Sequence, residues 1–256
     1  MSAPVVLVNP SVLAGATVGS VVEVDGAEGH HAVDVRRMRA GDPVHLVDGL
    51  GTRAIGEVAD SAGQRGLLRV RVMGIEVEAL PVPRIIAVQA IPKGERAELA
   101  VAMLTEVGVD VIVPWAAQRC IAVWREGKAE RGHERWTATA RESAKQSRRA
   151  RVPEILPLMR TPAVCDLIRT SALSLLLHEE SAQPISSVAV PVAGDIIVII
   201  GPEGGIDEQE QQSFVAAGAQ SVRLGPSVLR SSTAGTVACG ILLAGSGRWM
   251  GGSARD

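Results

Sequence analysis

The chain has 256 residues, 46% of them apolar, with a formal net charge of −2. That length suits one large or two modest domains, and the balance of charge excludes a globally basic protein. No apolar run approaches the ~20 residues of a membrane span. Aromatics are 2% of residues, with one Phe and no Tyr, so Val, Leu, Ile and Ala must build the core. Cys120, Cys165 and Cys239 are odd in number and far apart. They fit neither a zinc spacing nor a disulfide framework, which points to a reducing compartment. Residues 1–10 lack the basic region of a signal peptide. A cytoplasmic protein with no metal and no membrane partner is expected.

Residues 1–73 are predicted to be mostly β. Short β-rich runs cover Val5–Val8, Val21–Val24, Val44–Val47, Ala54–Val58 and Leu67–Val72, with a helix at Glu28–Arg37. Closely spaced short strands suggest a small barrel. His30 and His31 are adjacent, so they point to different sides of a helix and make a poor ligand pair. Arg36, Arg37 and Arg39 are candidates for RNA phosphates; a solvated helix face would use the same residues. Residues 74–83, acidic and containing Pro81 and Pro83, read as a linker.

From residue 84 the pattern alternates between strands and helices, which implies a parallel sheet. Strands are expected at Ile85–Val88, Val109–Val113 and Ser174–Leu177, and helices at Ala97–Val107 and Thr161–Thr170. The first helix carries Leu99, Met103, Leu104 and Val107 as its apolar positions. Residues 183–192 read as a loop with a weak element, and the tail after Gly245 should fray.

Between Arg119 and Arg151 stand ten Lys or Arg against four Glu, an excess of six positive charges in a chain of net −2. Arg141, Lys145 and Arg148/Arg149 fall at helical spacing and should share a face. A one-sided basic face is an electrostatic footprint for nucleic acid; a solvated amphipathic helix is the alternative. Trp124 and Trp136 could stack on bases, but a lone Trp is more often core.

The most informative stretch is 195–244. The run Ile196–Ile200 reads as a strand buried on both faces, and the loop Gly201-Pro202-Glu203-Gly204-Gly205 follows it. Asp207 and Glu210 then form a capping box for a helix that Gly218 ends. A strand at Ser221–Leu224 leads into a second loop, Gly225–Arg230, and a small-residue helix over Ser232–Ala244. Loops at the carboxyl ends of strands in open α/β sheets bind ligands. The usual phosphate-binding glycine patterns are missing. Asp207, Glu208 and Glu210 would repel a phosphate, and Pro202 removes a backbone donor. A neutral or cationic ligand suits these loops better.

These residues carry a resemblance. Ile200-Gly201-Pro202-Glu203-Gly204-Gly205, followed by Leu224-Gly225-Pro226, Leu229-Arg230 and Thr233-Ala234, resembles the RsmE family of 16S ribosomal RNA uridine methyltransferases, in the SPOUT superfamily. The resemblance spans nearly the whole chain. It includes His30-His31, Lys93, Arg96, Thr105–Gly108 and the block from Arg135-Trp136 through Gln146 and Arg149 to Val152-Pro153. It implies an α/β fold: a SPOUT-type trefoil-knotted parallel-sheet methyltransferase domain over 84–250, preceded by a small PUA-like β-barrel over 1–73. It also implies S-adenosylmethionine, a sulfonium without phosphate, as the cofactor.

The cofactor positions expected on this basis are Leu177, His178, Ile200, Gly201, Pro202, Gly204, Gly205, Leu224, Gly225, Val228, Leu229, Thr233 and Ala234. The RNA positions are Arg36, Arg37, Arg39, Lys93, Arg96, Arg119, Arg141, Lys145, Gln146, Arg148 and Arg149. Arg230 is expected to face developing charge on the uracil ring, and Glu203 to touch substrate or hold its loop. The implied activity is methylation of uridine N3 in 16S rRNA, free or in the assembled small subunit, by a homodimer. The family commonly has Glu where this chain has Ser232. That departure keeps a non-catalytic RNA-binding protein with a degenerate site open; a Rossmann-like enzyme for another nucleotide cofactor is a second alternative.

Overall fold

The computed structural model describes residues 3–60, 66–122, 124, 127 and 129–250. The chain divides into two compact units, Met1–Leu80 with Arg141–Val152, and Pro81–Ala140 with Pro153–Asp256.

The first unit holds β1 (Val5–Leu7), α1 (Pro10–Leu13), β2 (Val21–Val24), α2 (Gly26–His30), β3 (Pro43–Val47), β4 (Thr52–Asp60) and β5 (Leu68–Val77). They form one five-stranded sheet in the order β1-β3-β4-β5-β2. Only the β1–β3 pairing is parallel. Strand alternation makes the core: Leu68, Val70 and Val72 are buried, whereas Arg69, Arg71 and Met73 point outward. β5 runs on to Val77 and pairs with Thr52, so the strand continues past the boundary expected at 73. The helix expected at Glu28–Arg37 is α2 followed by a π-helical turn, His31–Val35. His30 Nδ1 lies 2.7 Å from Asp34 Oδ2.

Residues 141–152, expected in the second domain, belong to this first unit. Ala150 is buried with Val5, Leu7 and Val47. Arg53, only 5% exposed, donates to the Arg148 carbonyl at 3.0 Å and sits 3.6 Å from both Glu76 and Glu78.

The second unit holds β6 (Arg84–Ala90), α3 (Arg96–Val107), β7 (Val111–Trp115), α4 (Ala129–Gln146, which runs on into the first unit's residues), β8 (Glu154–Ile155), α5 (Thr161–Thr170), β9 (Leu173–Leu177), β10 (Asp195–Ile200), α6 (Glu208–Ala217), β11 (Gln220–Val222) and α7 (Ser231–Gly245). Its six strands are parallel throughout, in the order β11-β9-β10-β6-β7-β8. β6 and β10 are central and buried on both faces, hence the apolar runs Ile85–Val88 and Ile196–Ile200.

α7 packs on α3, β10 and β6. Its small residues permit that approach. A Cβ on Gly235 would sit 3.1 Å from Ile200 and 3.3 Å from Leu104. Cys239 is fully buried there, and burial, with Asp110 nearby, pushes its thiol up to about 12. Asp110 accepts from Ile85 N and pairs with both terminal nitrogens of Arg248.

Two expectations are corrected, and an open alternative is decided. α3 buries Ala97, Ala100, Val101, Leu104 and Thr105, and leaves Leu99 50% exposed. The helical basic face does not form as expected, because α4 ends at Gln146 and Arg148 takes a left-handed backbone (φ 56°). Trp136 is fully buried and packs edge-on against Trp124, with ring centroids 5.2 Å apart. Trp136 is core and has no free face for a base, whereas Trp124 is half-buried. Arg125 and Lys128, counted in the basic stretch, lie outside the described residues.

Candidate active site

At the carboxyl ends of β9 and β10, with the loop after β11, the second unit opens a cleft of about 600 Å³. That volume suits a ligand of nucleoside size. Parallel strands make this edge a natural site, because their connecting loops converge there. Each loop is shaped by its sequence. Pro202 stops β10, and Gly205 turns the chain with φ 76°. Asp207 then caps α6 by accepting from Gln209 N at 3.0 Å.

Every expected cofactor position except Thr233 lines the cleft. Leu177, Ile200, Leu224 and Leu229 supply apolar wall, and Gly225 has no heavy atom within 4 Å of where a Cβ would stand. Arg230, Glu203, Arg96 and Arg119 line it too. Arg96 lies 3.9 Å and the Lys93 amide 3.3 Å from Glu203 Oε1. Arg119 lies 3.4 Å from Asp207. Both arginine side chains are about half exposed, at 48% and 51%. His178 Nδ1 accepts from Glu180 N at 3.3 Å.

Arg36, Arg37, Arg39, Arg141, Lys145, Gln146, Arg148 and Arg149 belong to the first unit and do not line this cleft. Arg36, Lys145, Gln146 and Arg148 line a second cleft of about 570 Å³ in their own unit.

Gly204 lines the cleft as expected and is also tight against protein: a Cβ there would sit 3.1 Å from the Arg119 carbonyl. One feature departs from expectation. Glu210 does not cap α6. It is 2% exposed, and its Oε1 accepts from Gln118 N at 3.1 Å and from the Thr161 hydroxyl at 2.7 Å. Thr161 in turn accepts the Trp115 indole N–H at 3.3 Å. A carboxylate three residues after an N-cap can serve tertiary structure as readily as the cap.

Glu179 and Glu180 line the cleft as well, at the strand end that parallel α/β logic and the resemblance place beside the Gly-Pro loops. Sequence reasoning missed Ile206, Ser227, Ser231 and Ser232 as lining residues, and Gln89 behind them. Gln89 had a signal: it is the one polar side chain in the run Ile85–Ile91. Among the described residues no group of three or more His, Cys, Asp or Glu could hold a metal ion, and no helix is long and apolar enough to cross a membrane.

Comparison with known proteins adds to this geometry. The RNA methyltransferase domain family matches residues 78–243, and the RNA methyltransferase PUA domain family matches 24–70. The ribosomal RNA small subunit methyltransferase E of Mycobacterium bovis is 44% identical over 236 residues, covering 90% of this chain and 89% of that one. The crystal structure of a ribosomal RNA small subunit methyltransferase E from Neisseria gonorrhoeae bound to S-adenosyl methionine has a TM-score of 0.82 at 25% identity, covering 95% of this chain and 98% of that one. The putative methyltransferase Lpg2936 from Legionella pneumophila, in complex with the same cofactor, has a TM-score of 0.81 at 25% identity with the same coverage.

Proposed function

This chain belongs to the ribosomal RNA small subunit methyltransferase E family, and from that premise we propose that it methylates N3 of one uridine in 16S rRNA, free or in the assembled subunit. It is an S-adenosylmethionine-dependent rRNA methyltransferase. The observation that carries the reading is the cleft itself, lined by residues of both Gly-Pro loops together with Arg96, Arg119 and Arg230.

The lining fits the cofactor. Apolar residues suit the adenine, and Glu179, Glu180 and Glu203 suit a molecule with two cationic centres. When bound, the cofactor supplies an electrophilic methyl group on a sulfonium sulfur. Residues 177–178, 200–205 and 224–234 hold and orient it. Methyl transfer needs an in-line approach, which is mostly positioning. Uridine N3–H is a weak acid, so negative charge develops on O2 and O4 as its proton leaves. Arg230 at the start of α7 stabilises that charge. Glu203 orders Arg96 and the Lys93 amide beside the substrate. Arg96 and Arg119, half exposed and only loosely paired, exchange their carboxylates for RNA phosphates. The first unit contributes Arg36, Arg37, Arg39, Arg141, Gln146 and Arg148 to the same RNA.

The second unit also carries the trefoil knot and a homodimer contact in this reading. Exposed Leu99 and Val237 on the packed pair α3 and α7, with Trp249 56% exposed, support an apolar contact between copies. The protein works in the cytoplasm, with its ribosomal substrate.

The test is methyl transfer from labelled cofactor to unmodified 16S rRNA and to small subunits, followed by reverse transcription. N3 methylation blocks the pairing edge of uracil, so a single strong stop at a uridine is expected. Label incorporation without any stop would refute N3 as the target.

A further inference from the structure

We propose that Gln89 and Ser231 form a buried clamp that sets the spacing of the two cofactor loops, with Ser231 as the positioning residue. Gln89 is fully buried near the end of β6, in register with Ile200 of β10 and Pro114 of β7. Every neighbour from Ile85 to Ile91 is apolar. An amide in such a place is costly unless it is hydrogen-bonded. Its Nε2 donates to the Ala90 carbonyl and to Ser231 Oγ, both at 2.9 Å. Ser231 Oγ donates in turn to the Gly201 carbonyl at 2.7 Å. The direction is forced, because a carbonyl can only accept. The single hydroxyl proton therefore points at Gly201, and the oxygen lone pair faces Gln89.

One chain of bonds thus joins the end of β6, the first residue of the loop after β10 and the first turn of α7. Gly201 and Ser231 both line the cleft, and Arg230 directly precedes Ser231 as the N-cap of α7. Arg230 makes no side-chain capping bond; its carbonyl accepts from Thr233 N at 2.9 Å and Ala234 N at 2.8 Å, so it is fixed to the first turn of α7, which Ser231 ties to Gly201. Gln89 Oε1 has no partner among the described residues. An apolar side chain would avoid that unpaired oxygen, so the amide is explained by its donor pair.

The inference rests on the cofactor reading of the cleft, and the experiment separates the two. Calorimetry with S-adenosylmethionine is run on the full chain as wild type, Ser231→Ala, Ser231→Thr, Gln89→Leu and the Ser231→Ala/Gln89→Leu double variant. Melting curves and methyl transfer to 16S rRNA accompany it. Ser231→Ala should weaken cofactor binding about fivefold, as expected for one net hydrogen bond, and lower kcat as Arg230 drifts. Ser231→Thr keeps the hydroxyl and should restore both. The double variant should bind little worse than Ser231→Ala, because both substitutions break one network. Wild-type affinity and kcat in Ser231→Ala would overturn the clamp while leaving the cofactor reading intact. So would equal losses in Ser231→Thr and Ser231→Ala that track the melting temperature. No binding by the wild type would overturn the cofactor reading, and the clamp with it.

Discussion

Lys145 Nζ lies 2.7 Å from Glu28 Oε1 and 3.1 Å from Glu142 Oε1, with 11% of its side chain exposed. Burial works to lower its pKa, but the hydrogen bonds and charges of Glu28 and Glu142 outweigh that and hold it above the ordinary lysine value. Its charge is largely neutralised inside the first unit, so its expected place among the RNA contacts is weak. Lys145→Ala should cost about 1–3 kcal/mol, since it strands a partly buried carboxylate. The sign follows from the raised value. The stabilisation is present below the unfolded lysine pKa of about 10.4 and is lost as pH rises through the folded one. Melting curves from pH 7 to 11 should show an alkaline decline that Lys145→Met lacks. Equal wild-type and variant melting temperatures at pH 7 would refute this.

Arg141 and Arg148 are exposed cations of the same segment. If they hold phosphates, Arg141→Ala/Arg148→Ala should lower RNA affinity and flatten its log–log salt dependence by roughly 0.7 to 0.9 for each phosphate no longer neutralised. Stability should change by no more than about 0.5 kcal/mol. Cofactor affinity should be unchanged. A wild-type salt slope in the double variant would return these residues to a solvated surface.

Gly204→Val tests the first cofactor loop. The branched side chain would push against the Arg119 carbonyl, 3.1 Å from its Cβ, and displace either the Gly-Pro loop or the 118–120 turn. Calorimetry should register a loss of S-adenosylmethionine affinity of about tenfold or more, the effect of a ~1.4 kcal/mol misfit. The second unit should stay folded, because its sheet is untouched. A variant that binds the cofactor as tightly as the wild type would mean that this wall does not touch it.

His45 supplies a pH dependence of opposite sense. Burial first, then the Arg53 and Arg148 charges, hold it below its ordinary value, with Glu76 opposing. The unfolded chain therefore takes up this proton before the folded one does. Stability from this group is complete above about pH 6.5 and declines as pH falls toward the folded value. His45→Gln should melt with a shallower acid decline between pH 7 and 5. Identical declines would exclude His45 as a contributor.

The homodimer is checked by sedimentation at low micromolar concentration. The wild type should run at about twice the 26.7 kDa chain mass, and Leu99→Glu/Val237→Glu should run at one. A wild type that sediments as a monomer while transferring methyl groups would sink the proposal.

Local rules carried the second unit far. The apolar run Ile196–Ile200 needs burial on both faces, so it had to be a central parallel strand. Pro202, Gly205, Asp207 and Gly218 act through their own backbone preferences, which neighbours along the chain decide, and they shaped the turn and helix as read. Charge in the first turn of α6 was enough to disfavour a phosphate ligand. What sequence spacing could not decide was the partner of each polar group. Glu210 fits a capping box by position, yet Thr161 and Gln118 claim it across gaps of 49 and 92 residues. Lys145 reads as one more surface cation until Glu28, 117 residues away, closes on it. The basic face read from 141 to 149 fails because the helix ends at Gln146, where Ser147 bonds back to the Ser143 carbonyl. Propensity and periodicity act over one or two turns of chain, so they set the elements. Hydrogen bonds between buried polar groups depend on which distant residues the sheet brings within about 3 Å, and only the folded chain decides that.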